Sequence, residues 1–193
     1  METYNSLLNK VISFFNDLAC EDCCYEQCDD YEELCTEWIL HTFHVFALCG
    51  TFTDLLGNNI KQVNKEILLY SAILHDIAKP IDSEEHNKKQ HLLKALAEAK
   101  ISIPPERIGS ICSIVTAHRS GTFDPPREIA AESAILRMCD KLDRFRKGSK
   151  KAEKACEDSK DLIEEYFEDN ALSREWKELE KIFYMMKKFA ALY

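Results

Sequence analysis

The segment Ser71–Pro80, SAILHDIAKP, sets an imidazole and a carboxylate side by side behind an apolar run. His75 and Asp76 follow a helical apolar pattern that begins at Lys65, so they occupy positions where a packed core would normally continue. Leaving such groups buried and unpaired costs several kcal/mol each. A compensating partner is therefore expected, and Lys79 offers a positive charge on the same helical side.

Other polar side chains interrupt apolar helical patterns elsewhere in the chain, at His41, His91, His118 and Asp140. A single histidine on an apolar face is usually a hydrogen-bonded core residue. Several inward-facing imidazoles and carboxylates around one His-Asp pair are instead best satisfied by divalent metal ions, which accept this mixture of ligands. We assign structural roles to His44, which shares its helix with the better-placed His41, and to His86. If residues 84–99 form one helix, His86 lies about 140° around the axis from His91.

The elements that must position these side chains are all helical. Helical periodicity dominates, and it predicts a single all-α domain with helices near residues 4–18, 30–56, 62–78, 84–99, 105–118, 125–147, 149–167 and 172–191. Asp82 and Glu85 have capping-box spacing at the start of the fourth helix. Pro105 and Pro125 suit first turns, and Gly148 suits a helix C-terminus.

The amino-acid composition and net charge limit the kinds of molecule that the protein is expected to bind. The chain has 193 residues, 46% of them apolar, and a formal net charge of -9, which argues against binding long nucleic acids. The basic segment Arg137–Lys154 still allows a local site for an anion. We find no secretory signal and no apolar run approaching the ~20 residues of a membrane span, so a cytoplasmic location without membrane contact is expected.

Nine cysteines without a secretion signal are expected to be reduced thiols. Three of them, Cys20, Cys24 and Cys28, fall on one helical stripe within the acidic segment CEDCCYEQC. A metal site there stays open as an alternative, although paired Cys motifs separated by a loop are more typical of zinc and iron–sulfur sites.

The ordered set of polar residues resembles the HD superfamily of metal-dependent phosphohydrolases over about residues 36–148. HTFHVF, which contains His41, resembles the family's first histidine helix, LHDIAKP its defining motif, and CDKLDR, which begins at Cys139, its closing aspartate helix. The resemblance implies an all-α HD-type metal-binding core at 36–148. A cysteine-rich acidic helical segment at 1–35 and C-terminal helices at 149–193 would flank it.

The resemblance also implies one or two divalent ions (Mn, Fe, Co, Ni, Zn or Mg). The first ion would be held by four residues: His41, His75, Asp76 and Asp140. Asp76 would bridge to a second ion held by His91 and His118.

The implied reaction is cleavage of a phosphate ester or anhydride of a nucleotide or related small phosphorylated molecule by a metal-activated water. Asp76 would accept the proton of that water, and Lys79 would meet a phosphate oxygen. Further candidates for substrate binding are Arg119, Lys141 and Arg144. Because RSGTFDPP follows His118 where cyclic-dinucleotide hydrolases have Gly-Tyr-Pro, that substrate is disfavoured.

Two alternatives remain open at this point. A minority of HD proteins are di-iron oxygenases that use the same ligands, and the chain could instead be a non-catalytic, metal-stabilised, ligand-sensing module. The amphipathic tail EWKELEKIFYMMKKFAALY is expected to pack on the core or to support a homodimer.

Overall fold

The computed structural model describes residues 3–22, 28–57, 60, 63–82, 84–119, 121–148 and 150–190, with side chains other than those of 19–22, 28–32, 147 and 150. These residues form helices without any strand, which confirms the predicted all-α fold. The helices are α1 Tyr4–Asp22, α2 Cys28–Leu56, α3 Lys65–Leu74, α4 Lys89–Glu98, α5 Pro105–Ala117, α6 Ala130–Asp143, α7 Lys150–Asp169 and α8 Ser173–Ala190. The side chains of Cys20, Cys24 and Cys28, the predicted cysteine cluster, lie outside the described part.

Helix α3 is buried along most of its length because it packs between two apolar clusters. Every residue from Leu68 to Leu74 is buried. One cluster joins α3 to α2, α6, α7 and α8, and the other joins it to α1, α4 and α5. Asn64 caps the helix by accepting a hydrogen bond from the Ile67 amide at 3.1 Å. The His75-Asp76 pair therefore directly follows a largely buried helix.

Two predicted helices are shorter than their sequence pattern indicated. Helix α3 ends at Leu74, and residues 75–81 continue as turns in which the Ile77 amide donates to the Leu74 carbonyl and the Lys79 amide to that of Asp76. Helix α4 begins only at Lys89, after a separate turn. Asp82 does act as a cap, but it accepts hydrogen bonds from the amides of this turn rather than from α4.

The ends of α5 and α6 show which proline and glycine predictions were right. Pro105 is the first residue of α5, as predicted. Pro125 does not start a helix, because a short 3-10 turn at Arg127–Ile129 separates it from α6. Gly148 has φ 63° and closes the 3-10 turn Arg144–Lys147 that follows α6, in the left-handed conformation that glycine adopts at low cost.

Helix α2 is longer and more apolar than we expected. Among the described residues, one segment, Glu33–Leu56, satisfies length and composition criteria for crossing a membrane, with a mean hydropathy of 1.3. The core helix of a soluble protein satisfies the same criteria. Here α2 packs against α1, α3, α6 and α8, and it carries His41 into the centre of the domain.

Candidate metal centre

Four of the predicted ligands meet at one point between α2, α6 and the end of α3. The Nε2 atom of His41 lies 3.0 Å from His75 Nε2, 3.1 Å from Asp76 Oδ2 and 3.2 Å from Asp140 Oδ1. His75 Nε2 lies 3.3 Å from Asp76 Oδ2. Neighbouring ligands of one cation, with bonds of about 2.1 Å, stand about 3.0–3.4 Å apart. The spacing of these four atoms therefore suits a common metal ion.

Hydrogen bonds on the far side of two imidazoles fix which nitrogen faces this point. His75 Nδ1 donates to the Ala72 carbonyl at 2.8 Å, and His41 Nδ1 donates to Asp143 Oδ2 at 2.7 Å. Because each neutral imidazole carries its proton on Nδ1, each Nε2 atom has a lone pair. The two Nε2 atoms are 3.0 Å apart, so their lone pairs would repel each other unless a cation or an extra proton lay between them. Such outer hydrogen bonds are typical of histidines that bind metals.

A second group of ligand atoms meets at the other oxygen of Asp76. His86 Nε2 lies 3.0 Å and His118 Nε2 3.8 Å from Asp76 Oδ1, and the ligand atoms of all three residues are within 4.8 Å of one another. His118 Nδ1 donates to the Val115 carbonyl at 2.5 Å, which again directs Nε2 inward. Asp76 thus faces one group with each of its oxygens, as a bridging carboxylate would.

The structure places His86, rather than His91, beside Asp76 and His118. His86 is 1% exposed, whereas His91 lies in a separate cluster with Asp82 and Glu85, its Nδ1 3.9 Å from Asp82 Oδ2. The sequence analysis treated residues 84–99 as one helix. His86 instead belongs to the turn before α4, so its direction does not follow from the helical angle.

Asp143 is a further site residue that the sequence analysis missed. It lies one turn after Asp140 on α6, and besides His41 it contacts His44 Nδ1 at 3.1 Å and Arg146 Nε at 3.3 Å. Despite its burial, hydrogen bonding from His41 holds the pKa of Asp143 below its usual value. The three-residue spacing from Asp140 was the available signal, since it puts both carboxylates on one helical face. His44, set aside as structural, touches the site only through Asp143.

Two lysines neutralise the central carboxylates. Lys79 Nζ contacts Asp76 Oδ2, and Lys141 Nζ contacts Asp140 Oδ2. Burial tends to raise the pKa of Asp76, but the neighbouring His75 and Lys79 outweigh it and hold the pKa well below the usual value. Burial likewise opposes ionisation of Asp140, and Lys141 with His41 reverses its effect. Both carboxyl groups are therefore ionised at neutral pH, as metal ligands must be.

The histidines that face the carboxylates differ in their affinity for protons. Burial lowers the pKa of His41, but hydrogen bonds to Asp140, Asp143 and Asp76 outweigh it and raise the pKa to about 11. Burial, with the charge of His75, lowers the pKa of His118 to about 3. Without metal, His41 holds the extra proton between the lone pairs, whereas His118 is already neutral.

A pocket of about 380 Å³ opens onto the first group of ligands and is lined by residues from several helices: Leu34, Glu37, Trp38, His41, Lys79, Asp140, Asp143, Arg144 and Lys151. Of the predicted substrate-binding residues, Lys79 and Arg144 line this pocket. Lys141 is mostly buried against Asp140, and Arg119 donates to His86 Nδ1 at 2.9 Å, next to the second group. A cation on His86 Nε2 requires the proton on Nδ1, so Arg119 must then leave that nitrogen.

Comparison with known proteins agrees with this geometry. The sequence matches the family model described as HD domain over residues 38–144, more than half of the chain. No curated protein and no solved structure matched. HD domains bind divalent metals, are typically soluble and are commonly metal-dependent hydrolases. Five of the six predicted ligands, all except His91, are brought together in a fold of the expected class, and the chain belongs to the HD domain family.

Proposed function

We propose that this chain is a metal-dependent phosphohydrolase that cleaves a phosphate ester or anhydride of a nucleotide or a related small phosphorylated molecule. The observation that carries the proposal is the convergence of His41, His75, Asp76 and Asp140, with the imidazoles oriented by outer hydrogen bonds. The adjoining Asp76, His86 and His118 form a second set, which favours two ions. Imidazole and carboxylate together suit Mn, Fe, Co, Ni or Zn, and Mg is compatible with the carboxylates.

The charge around the pocket favours a phosphorylated substrate. Lys79, Arg144 and Lys151 line the same pocket as the ligands His41 and Asp140. These three cationic side chains are balanced in the pocket by Glu37, Asp140 and Asp143, so bound divalent cations would make the pocket net positive. A multiply charged phosphate matches them in sign and in position. This feature favours hydrolysis over a di-iron oxygenase that acts on an uncharged polyol, although an oxygenase that acts on a phosphonate would match the same cations.

The residues around the ions would have distinct roles. Divalent ions, when bound, activate a water for attack and polarise the phosphoryl oxygens. Asp76, ionised and facing both groups of ligands, is placed to accept the proton of the attacking water. Lys79 contacts Asp76 now, and it would turn to a phosphate oxygen once cations neutralise that carboxylate. Arg144, more exposed at the pocket wall, would bind a peripheral phosphate oxygen.

Location and partners complete the proposal. We place the activity in the cytoplasm, with a small phosphorylated molecule as the partner and neither a membrane nor a long nucleic acid. The homodimer remains a prediction.

The test is phosphate release by protein stripped with a chelator and reloaded with one divalent metal at a time. At least one metal should restore cleavage of a nucleotide or a simple phosphate ester, and His75→Ala or Asp76→Ala should abolish it. His91→Ala changes a histidine outside both groups and should retain activity. Full activity of the stripped protein would contradict the proposal. Oxygen consumption by the iron-loaded protein without phosphate release would favour the oxygenase.

A further inference from the structure

We infer that Trp38 is a platform for a planar ring in the group attached to the phosphate. The pocket would then select nucleoside monophosphates, or phosphomonoesters with a comparable ring, over phosphorylated sugars. This inference rests on the proposed function, because it concerns the leaving group of the same reaction.

Trp38 lies one helical turn from the first group of ligands. It precedes His41 by three residues on α2, and side chains at this spacing project from the same side of a helix. Trp38, His41 and Asp140 all line one pocket. A molecule whose phosphate reaches the ligands therefore has its remaining part within reach of the indole.

Packing from α1 holds the indole in place. The ring of Phe15, which is fully buried, lies against Trp38 with centroids 5.7 Å apart and an interplanar angle of 48°. Trp38 itself is only partly buried, and it is one of the residues that line the pocket. An aromatic surface that is fixed before binding loses little conformational entropy when a ring stacks on it.

The pocket lining combines apolar and charged side chains. Leu34, 42% exposed and four residues before Trp38 on α2, adds apolar surface. Lys79, Arg144 and Lys151 add positive charge, and Glu37, Asp140 and Asp143 add negative charge, part of which bound cations would neutralise. A ligand with a dianionic phosphate directed at the cations and a flat ring directed at Trp38 and Leu34 matches this lining.

The volume of the pocket favours a small ligand among those that carry both a phosphate and a ring. The pocket volume of about 380 Å³ is near the lower end of small-molecule sites, which are roughly 300–1,000 Å³. A mononucleotide fits this volume better than a dinucleoside polyphosphate does.

The first test compares adenosine 5′-monophosphate with ribose 5-phosphate, which share the phosphate and the sugar. Trp38→Leu should raise KM for the nucleotide by about tenfold or more relative to that for the sugar phosphate, as loss of base stacking predicts. Trp38→Phe, which retains a ring, should recover part of the ratio. Phe43→Leu alters an exposed aromatic residue of the same helix outside the pocket, so it should leave the ratio unchanged. An unchanged ratio in Trp38→Leu would overturn the inference while leaving the hydrolase intact.

The second test measures ligand binding separately from hydrolysis. The chain has two tryptophans, and Trp176 is buried in the core, so Trp176→Phe protein reports on Trp38 alone. Stopped-flow mixing of this metal-loaded protein with the nucleotide should quench its fluorescence, and ribose 5-phosphate should not. Selective quenching without hydrolysis of either compound would support the platform and refute the proposed reaction. Equal quenching by both compounds, or none, would overturn the platform.

Discussion

The raised pKa of His41 makes a quantitative prediction about protons and metal. Metal binding at His41 Nε2 must remove the proton that this atom holds in the metal-free chain. Asp76 and Asp140 are already ionised, and His118 is already neutral, so these residues have no proton to lose at pH 8. Loading the first group at pH 8 should therefore release one proton from His41, in addition to any proton that a metal-bound water loses.

The same proton makes the free energy of unfolding of the metal-free protein depend on pH. Because the pKa of His41 rises from 6.5 to about 11 on folding, its stabilising contribution is fully present below pH 6.5 and is lost as pH rises toward 11. One proton corresponds to about 1.4 kcal/mol per pH unit, so the loss between pH 7 and pH 9 is about 2.5 kcal/mol. In the metal-loaded protein the cation replaces this proton, and the loss should disappear.

Two assays check these values. Calorimetric titration with metal in buffers of different ionisation enthalpy counts the protons released at pH 8. Urea unfolding in chelator at pH 7 and pH 9 measures the stability change, and His41→Gln removes the contribution of His41 while leaving other titrating groups in place. Metal binding without proton release at pH 8, or equal pH dependence of the wild-type and His41→Gln proteins, would refute the reasoning.

Three further predictions follow from the site and the core. His86→Ala should lower bound metal from two ions per chain to one, whereas His91→Ala should keep both; the reverse result by elemental analysis would restore the sequence-based assignment. Asp143→Ala should weaken metal affinity about 10- to 100-fold through His41, measured by competition with a chromophoric chelator, and unchanged affinity would exclude a positioning role. Phe167→Ala removes a buried ring that contacts Trp176, and it should lower the free energy of unfolding in urea by about 3–5 kcal/mol. A decrease below about 1 kcal/mol would contradict this packing.

The sequence was sufficient for the helical fold and for the four residues that meet in the first group. His41 lay in a segment that is apolar on nearly every face, Asp140 was aligned with apolar positions of its helix, and His75-Asp76 stood at the end of the most apolar helix. Their order matched the HD pattern. His41 and Asp140 lie within regular helices, where side-chain direction follows from spacing, and His75 continues the right-handed helical backbone just after α3.

The second group could not be identified in the same way. His86 lies in a turn, where direction depends on local hydrogen bonding, such as that donated by the amides of residues 84 and 85 to the Asp82 carboxylate. The pocket also depends on contacts between distant segments: Trp38 is oriented by Phe15 of another helix, and Lys151 reaches the pocket from α7. Such tertiary contacts have no signal in local periodicity.

The most direct test of the account is an anomalous difference map from crystals of the metal-loaded protein, collected at the absorption edge of the bound metal. We expect one peak within about 2.0–2.2 Å of His41 Nε2 and His75 Nε2, and a second beside His86 and His118, with Asp76 between them. No peak at these positions, or a peak only at Asp82, Glu85 and His91, would contradict the claim that cations hold these side chains together.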